Sequence, residues 1–217
     1  LKEIESELKK LNPNIILIAE PWSFRGRLPE KMNQSGYALW SDRCRESLLG
    51  FVSGKVEKEE IVKLMMGKLD VENCFPWQSV HYVESHDDYT FIDRICSDCD
   101  NGGLNPDANA MKKATLAMVI LLLSPGIPML SAGQDFLRSK RGIRNTYQNG
   151  NVNALDYRRL EKYQSIHNEI RKIITFRLSQ SGRFTRPETF KKIDYTSNLL
   201  EGKNILSLSA RHQEQGE

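Results

Sequence analysis

The stretch Val80-His81-Tyr82-Val83-Glu84-Ser85-His86-Asp87-Asp88 constrains this chain more than any other. Val80, Tyr82 and Val83 have the β-branched and aromatic character of a buried strand, and the run then stops abruptly in charged and polar groups. Glu84, His86 and Asp87 are therefore expected just past the carboxyl end of that strand, where core gives way to a ligand-facing edge. The layout recurs. Ile15-Ile16-Leu17-Ile18-Ala19 is a continuous apolar run of the kind buried on both faces of a parallel sheet, and it ends in Glu20-Pro21-Trp22. Ile127-Pro128-Met129-Leu130-Ser131 reads as another strand, with Ala132-Gly133-Gln134-Asp135 as its polar terminus. Polar groups carried on strand ends at one face are how a parallel β/α barrel presents its chemistry.

Helical patterns separate these runs. Leu1, Ile4, Leu8 and Leu11 have helical spacing, and Asn12-Pro13-Asn14 breaks the pattern because proline cannot continue the hydrogen-bond ladder. Tyr37-Ala38-Leu39-Trp40 reads as a strand, and residues 55–67 as a short amphipathic helix with Ile61, Leu64 and Met65 on one face. Residues 90–106 are polar and Gly-rich, which suits a long loop after a strand. Residues 108–123 are dense in Ala, Met and Leu and predict a helix whose second half, apolar nearly all round, is buried. Residues 138–153 read as a basic, Asn-rich loop, and residues 155–178 as one long helix. Asn204-Ile205-Leu206-Ser207-Leu208-Ser209 is a further strand-like piece. Alternation of strands and helices implies a parallel sheet with right-handed crossovers. The strands number four, whereas a complete barrel needs eight and about 250 residues.

The chain has 217 residues, enough for one large or two small domains. Its formal charge of +3 is too small to argue for nucleic acid or an anionic membrane surface. The longest apolar run, residues 116–123, falls far short of a membrane span. No secretory leader is legible, and Leu1 in place of Met gives the expectation that the natural chain starts upstream. Cys44, Cys74, Cys96 and Cys99 match no zinc-ligand spacing and read as reduced thiols, which leans towards the cytoplasm. Neither a Gly-x-Gly-x-x-Gly loop after a strand nor a Walker lysine is present, so nucleotide binding has little support.

Three motifs in register carry a resemblance. Ile-Leu-Ile-Ala-Glu20-Pro-Trp22, Tyr82-Val-Glu-Ser-His86-Asp87 and Gly126-Ile-Pro128-Met-Leu-Ser-Ala-Gly133-Gln-Asp135-Phe together resemble the α-amylase superfamily of glycoside hydrolases. The stretch from Ser131 to Lys140, followed by Asn145-Thr-Tyr147 and Asn153-Ala-Leu-Asp-Tyr157, points to its pullulanase, isoamylase and glycogen-debranching branch. The resemblance implies an α/β chain forming the C-terminal half of a (β/α)8 TIM barrel, strands five to eight, with the beginning of a C-terminal β segment. Residues 1–180 would be the barrel half, and 181–217 the linker and start of the β domain. It implies Glu20 as general acid/base and Asp87 as the group that holds substrate hydroxyls and stabilises the oxocarbenium-like transition state. His86 would hydrogen-bond the sugar before the scissile bond, and Trp22 would offer an aromatic face. A retaining glycosidase needs one protonated carboxyl and a second, ionised one about 5–5.5 Å away. Burial beside Trp22 and crowding by like charge would favour the protonated form of Glu20.

The departures are specific. The family's nucleophile is an Asp in a Gly-x-Arg-x-Asp pattern upstream of the acid/base, and no such pattern occurs here. Asp88 stands where debranching enzymes usually have Asn, and Tyr157 where an aromatic, usually Trp, is expected. The resemblance thus implies part of a retaining hydrolase acting on α-glucan polysaccharide or oligosaccharide, with α-1,6 cleavage, and inactive by itself for want of a nucleophile. No cofactor is implied, and a structural calcium of the superfamily cannot be placed on this chain. A half barrel leaves strand edges and an apolar face uncovered, which gives the expectation of a homodimer. Two other readings stand beside it: a non-catalytic carbohydrate-binding or regulatory protein on a degenerate barrel, and an unrelated doubly wound module.

Overall fold

The computed structural model describes residues 2–20, 22–23, 26–27, 35–67, 78–186, 193–200 and 205–212. Cys74 and most of the loop between residues 23 and 36 lie outside them. Helix α1 (Lys2–Leu11) leads into strand β1 (Leu17–Ala19), and the short strands β2 (Trp22–Ser23) and β3 (Gly26–Arg27) pair antiparallel with each other. Strand β4 (Tyr37–Trp40) is followed by helices α2 (Asp42–Val52) and α3 (Lys58–Met65), and strand β5 (Ser79–His81) by helices α4 (Phe91–Ile95) and α5 (Ala108–Leu123). Strand β6 (Ile127–Pro128) precedes helices α6 (Gly150–Asn153), α7 (Arg158–Lys162) and α8 (Gln164–Leu178). A hairpin of β7 (Ile193–Leu200) and β8 (Ile205–His212) comes last, with Ile193 opposite His212.

The sheet runs β1-β4-β5-β6, and all three pairings are parallel, with Leu17 beside Tyr37, Leu39 beside Ser79 and Val80 beside Ile127. Each strand is the neighbour of the next in sequence, as in a singly wound barrel rather than a doubly wound sheet. Helices α2, α3, α4, α5 and α8 supply a continuous core that includes Leu48, Leu64, Phe91, Met118, Leu121 and Ile170. The Ala- and Leu-rich run at 108–123 forms the helix expected of it, capped by the Asp107 side chain, which accepts from the Ala110 N–H. At its other end the buried Arg177 donates to the carbonyls of Leu122, Ser124 and Gly126, satisfying groups that the helix leaves unpaired.

Several expectations are corrected. The Ile15–19 run is not buried on both faces: Ile16 is 67 % and Ile18 48 % exposed, and two residues apart they share one open face of the strand. Helix α2 escaped the sequence reading; Ser41 begins it by accepting from the Cys44 N–H at 3.0 Å, and Cys44, Leu48 and Val52 form its buried face. The Gly-rich stretch after residue 90 opens with α4, whose cap Thr90 accepts from the Asp93 N–H. The long helix expected at 155–178 is two helices, broken at Tyr163, whose backbone leaves the helical region at φ −114 and ψ 29. β6 is two residues long instead of five, the basic loop contains α6, and β7 is a strand that the sequence reading did not mark.

Candidate functional site

Glu20, Trp22, Trp40, His86 and Asp87 follow or end strands β1, β4 and β5 at their carboxyl termini. Trp40 is the hub. Its indole meets Trp22 edge-on with centroids 6.1 Å apart, Tyr82 at 5.3 Å and His86 at 6.1 Å. These pairs have the tilted geometry that aromatic quadrupoles prefer. His86 and Asp87 are both largely exposed, with the imidazole Nε2 3.6 Å from the Asp87 carboxylate. Trp22 and His86, which sequence reading places on different strands, are thus brought to one indole. Glu20 is exposed at the end of β1, so the described residues do not give it the burial expected of an acid catalyst.

Glu84 is a correction. It does not face a ligand: it is 2 % exposed, and its carboxylate accepts from the Phe91 N–H at 2.6 Å. Burial pushes its carboxyl up to about 7, against the opposing pull of the Phe91 N–H, Arg138 and Ser131. Glu84 therefore braces the loop that carries His86 and Asp87 from behind. Tyr82 does the same from below, donating to Asp42 at 2.5 Å and accepting from Arg45. Burial and the Asp42 carboxylate hold that phenol above its ordinary value.

The loop is also pinned by the segment that follows β6. Asp88 has a φ of +59, a left-handed conformation that Asn and Asp tolerate best among residues with side chains. The buried Lys140 donates its ammonium to the Asp88 carbonyl at 2.5 Å, Asn145 accepts from the Asp88 N–H, and Arg144 donates to the Asp88 carboxylate. Burial and the neighbouring Arg138 lower the Lys140 pKa. Asp93, 2 % exposed, holds this arrangement from α4 by accepting from Thr90 Oγ1, the Gly103 N–H, Ser139 Oγ and the Lys140 N–H. Sequence reading missed Trp40 and this clamp. Trp40 carried a signal, since it ends its strand as Glu20 follows another, whereas the clamp joins residues some 50 positions apart.

No family model matches the sequence. A pullulanase from Bacillus subtilis is 27 % identical over 198 residues, covering 80 % of this chain and 27 % of that protein. An isoamylase from a Flavobacterium species is 26 % identical over 217 residues, covering 85 % and 27 %. Among solved structures, a variant of the pullulanase from Paenibacillus barengoltzii complexed with maltotriose superposes with a TM-score of 0.72 at 26 % identity, covering 91 % of this chain and 35 % of that one. These similarities support the pullulanase and isoamylase branch of the α-amylase family.

A pullulanase from Anoxybacillus complexed with maltotetraose gives the same picture, with a TM-score of 0.71 at 25 % identity. The fold is accordingly that of an α/β chain with a parallel sheet, like the corresponding part of the pullulanases. The chain spans about a quarter of the length of the curated pullulanase and isoamylase relatives it matches.

Proposed function

We propose that this chain contributes the second half of a retaining α-glucan debranching site, strands five to eight of a (β/α)8 barrel. Residues 1–180 form the barrel half, and residues 181–217 lead into a β domain. Glu20 is the general acid/base, which protonates the departing glycosidic oxygen and later activates water. Asp87 binds substrate hydroxyls and stabilises positive charge on the sugar ring, His86 donates to the sugar before the scissile bond, and Trp22 provides the stacking face. The observation that carries this reading is the Trp22–Trp40–His86 series, with Asp87 3.6 Å from His86, laid across the carboxyl ends of neighbouring parallel strands. An aromatic face beside a carboxylate and an imidazole is what a sugar ring requires: apolar C–H surface on one side and hydroxyls to be paired on the other.

The nucleophilic carboxylate comes from polypeptide outside this sequence, so the chain binds glucan without cleaving it. Two copies cover each other's exposed sheet edges: β1 with Ile16 and Ile18 on one side, and on the other the groove of about 440 Å³ beside β6, lined by Leu122, Ile127, Pro128, Leu130, Ile174 and Leu178 among others. Titration with maltotetraose, followed by tryptophan fluorescence and paired with a reducing-end assay on pullulan, tests the reading. Saturable binding without release of reducing ends supports it. Hydrolysis by the chain alone, or no binding at millimolar sugar, overturns it. Sedimentation at micromolar concentration tests the dimer, which a monomer would exclude.

A further inference from the structure

Cys96 and Cys99 form a Cys-x-x-Cys sequence that the proposed glucan site does not use. Cys96 caps the carboxyl end of α4, its N–H donating to the Ile92 carbonyl at 3.0 Å. The chain then turns sharply, and the Cys99 N–H donates to the Cys96 carbonyl, also at 3.0 Å. A turn closed by such an i to i+3 bond keeps its end Cα atoms within about 7 Å. A disulfide needs Cα atoms about 4.4–6.8 Å apart with Cβ atoms facing each other. The turn thus brings the two cysteines within the reach that such a bond requires. Their exposure differs: Cys96 is 3 % exposed and Cys99 is open to solvent. Cys44 is fully buried, and no third metal-ligating side chain is grouped with the pair among the described residues.

We propose that Cys96 and Cys99 are a reversible dithiol–disulfide pair, oxidised by a low-molecular-weight disulfide. Cys99, the accessible thiol, loses its proton to water, and its sulfur attacks the external disulfide. That S–S bond breaks, a mixed disulfide forms on Cys99, and one external thiolate leaves and takes up a proton. Cys96 then loses its proton, and its sulfur attacks the Cys99 sulfur, expelling the second external thiolate. Two protein thiols are oxidised and one external disulfide is reduced to two thiols. Burial, with the adjacent Cys99, pushes the Cys96 thiol up to about 11. That suits Cys96 to the second step, where the turn already holds its target three residues away, and unsuits it to attack from solution. The proposal is independent of the glucan-site reading.

Trypsin cleaves after Arg94 and Lys112, so residues 95–112 emerge as one peptide that holds both cysteines and no other. The chain is equilibrated with glutathione at graded ratios of oxidised to reduced form, quenched in acid, alkylated under denaturing conditions, digested and weighed. At the oxidising end this peptide shifts to a form lighter than the dithiol by two hydrogens and free of alkyl groups, and dithiothreitol returns it to the doubly alkylated form. In Cys99→Ser, Cys96 stays fully alkylatable and carries no glutathione. A wild-type peptide that stops at glutathione on Cys99, or keeps two free thiols at the oxidising end, overturns the proposal. So does glutathione on Cys96 in the variant.

Discussion

Trp40 and His86 lie edge to face, with ring centroids 6.1 Å apart and planes inclined at 78°. The contact couples the end of β4 to the loop after β5, and Trp40 extends it to Trp22. Replacing Trp40 by Ala removes three aromatic neighbours at once. The expected result is maltotetraose binding weakened about tenfold, close to 1.4 kcal/mol. Trp40→Phe should keep most of the affinity. Fluorescence from the remaining tryptophans measures binding, and a thermal melt of each variant separates lost binding from lost folding.

Asp93 is the stability hinge of the site. Its two carboxylate oxygens accept four hydrogen bonds from Thr90, Gly103, Ser139 and Lys140. Asp93→Ala leaves those donors buried and should cost about 3 kcal/mol, read as a fall in the urea midpoint. Asp93→Asn, which keeps acceptor capacity on one oxygen, should cost less.

Glu84 gives a pH signature. Its carboxyl is raised by burial from 4.5 to about 7 in the folded chain. Below the unfolded value both states hold the proton, and the stabilisation is complete. Between about 4.5 and 7 the unfolded chain ionises first, so stability falls as pH rises, by on the order of 3 kcal/mol in total. Glu84→Gln still offers an oxygen to the Phe91 N–H and should remove this slope. Denaturant titrations of both proteins from pH 4 to 8 measure it, and parallel curves would reject the assignment.

Gly102 sits at φ +54, and a Cβ placed there would lie 2.6 Å from the Gly142 nitrogen. The Gly142 nitrogen and Cα that it would meet belong to backbone, so they do not yield as a flexible side chain would. Gly102→Ala should cost about 2 kcal/mol and loosen the contact between the 99–104 and 139–145 segments. Hydrogen exchange at the Gly103 and Lys140 amides would record the loosening.

The parts of the fold legible in the sequence were those fixed by local chemistry. The helix at 108–123 has a capping Asp107 and an unbroken run of good helix formers, and the β5 strand announces itself by its abrupt polar end. α2 was obscured because Asp42, Arg43, Arg45 and Glu46 crowd its first turns, while its apolar residues come later. The break at Tyr163 was invisible because Leu160, Tyr163, Ile166 and Ile170 keep helical spacing across it. Exposure at Ile16 and Ile18 depends on what packs against their face of the sheet, and periodicity carries no such information. In the candidate site, His86, Asp87, Glu20 and Trp22 were nameable from strand-end position. The burial of Glu84 was not, because its neighbours Phe91, Ser131 and Arg138 are assembled only by the fold.

The order β1-β4-β5-β6 bears on how the sheet comes into being. No strand has to be inserted between two that are already paired. Leu17 meets Tyr37, Leu39 meets Ser79 and Val80 meets Ile127, so each register can be fixed as soon as the next segment is available. Each crossover must close its own loop before its pairing forms, so the sheet grows stepwise and not all at once. Such a sheet can assemble directionally, one strand-and-helix unit on the last, during synthesis on the ribosome. Every stage of that growth leaves one fresh edge as the template for the next strand.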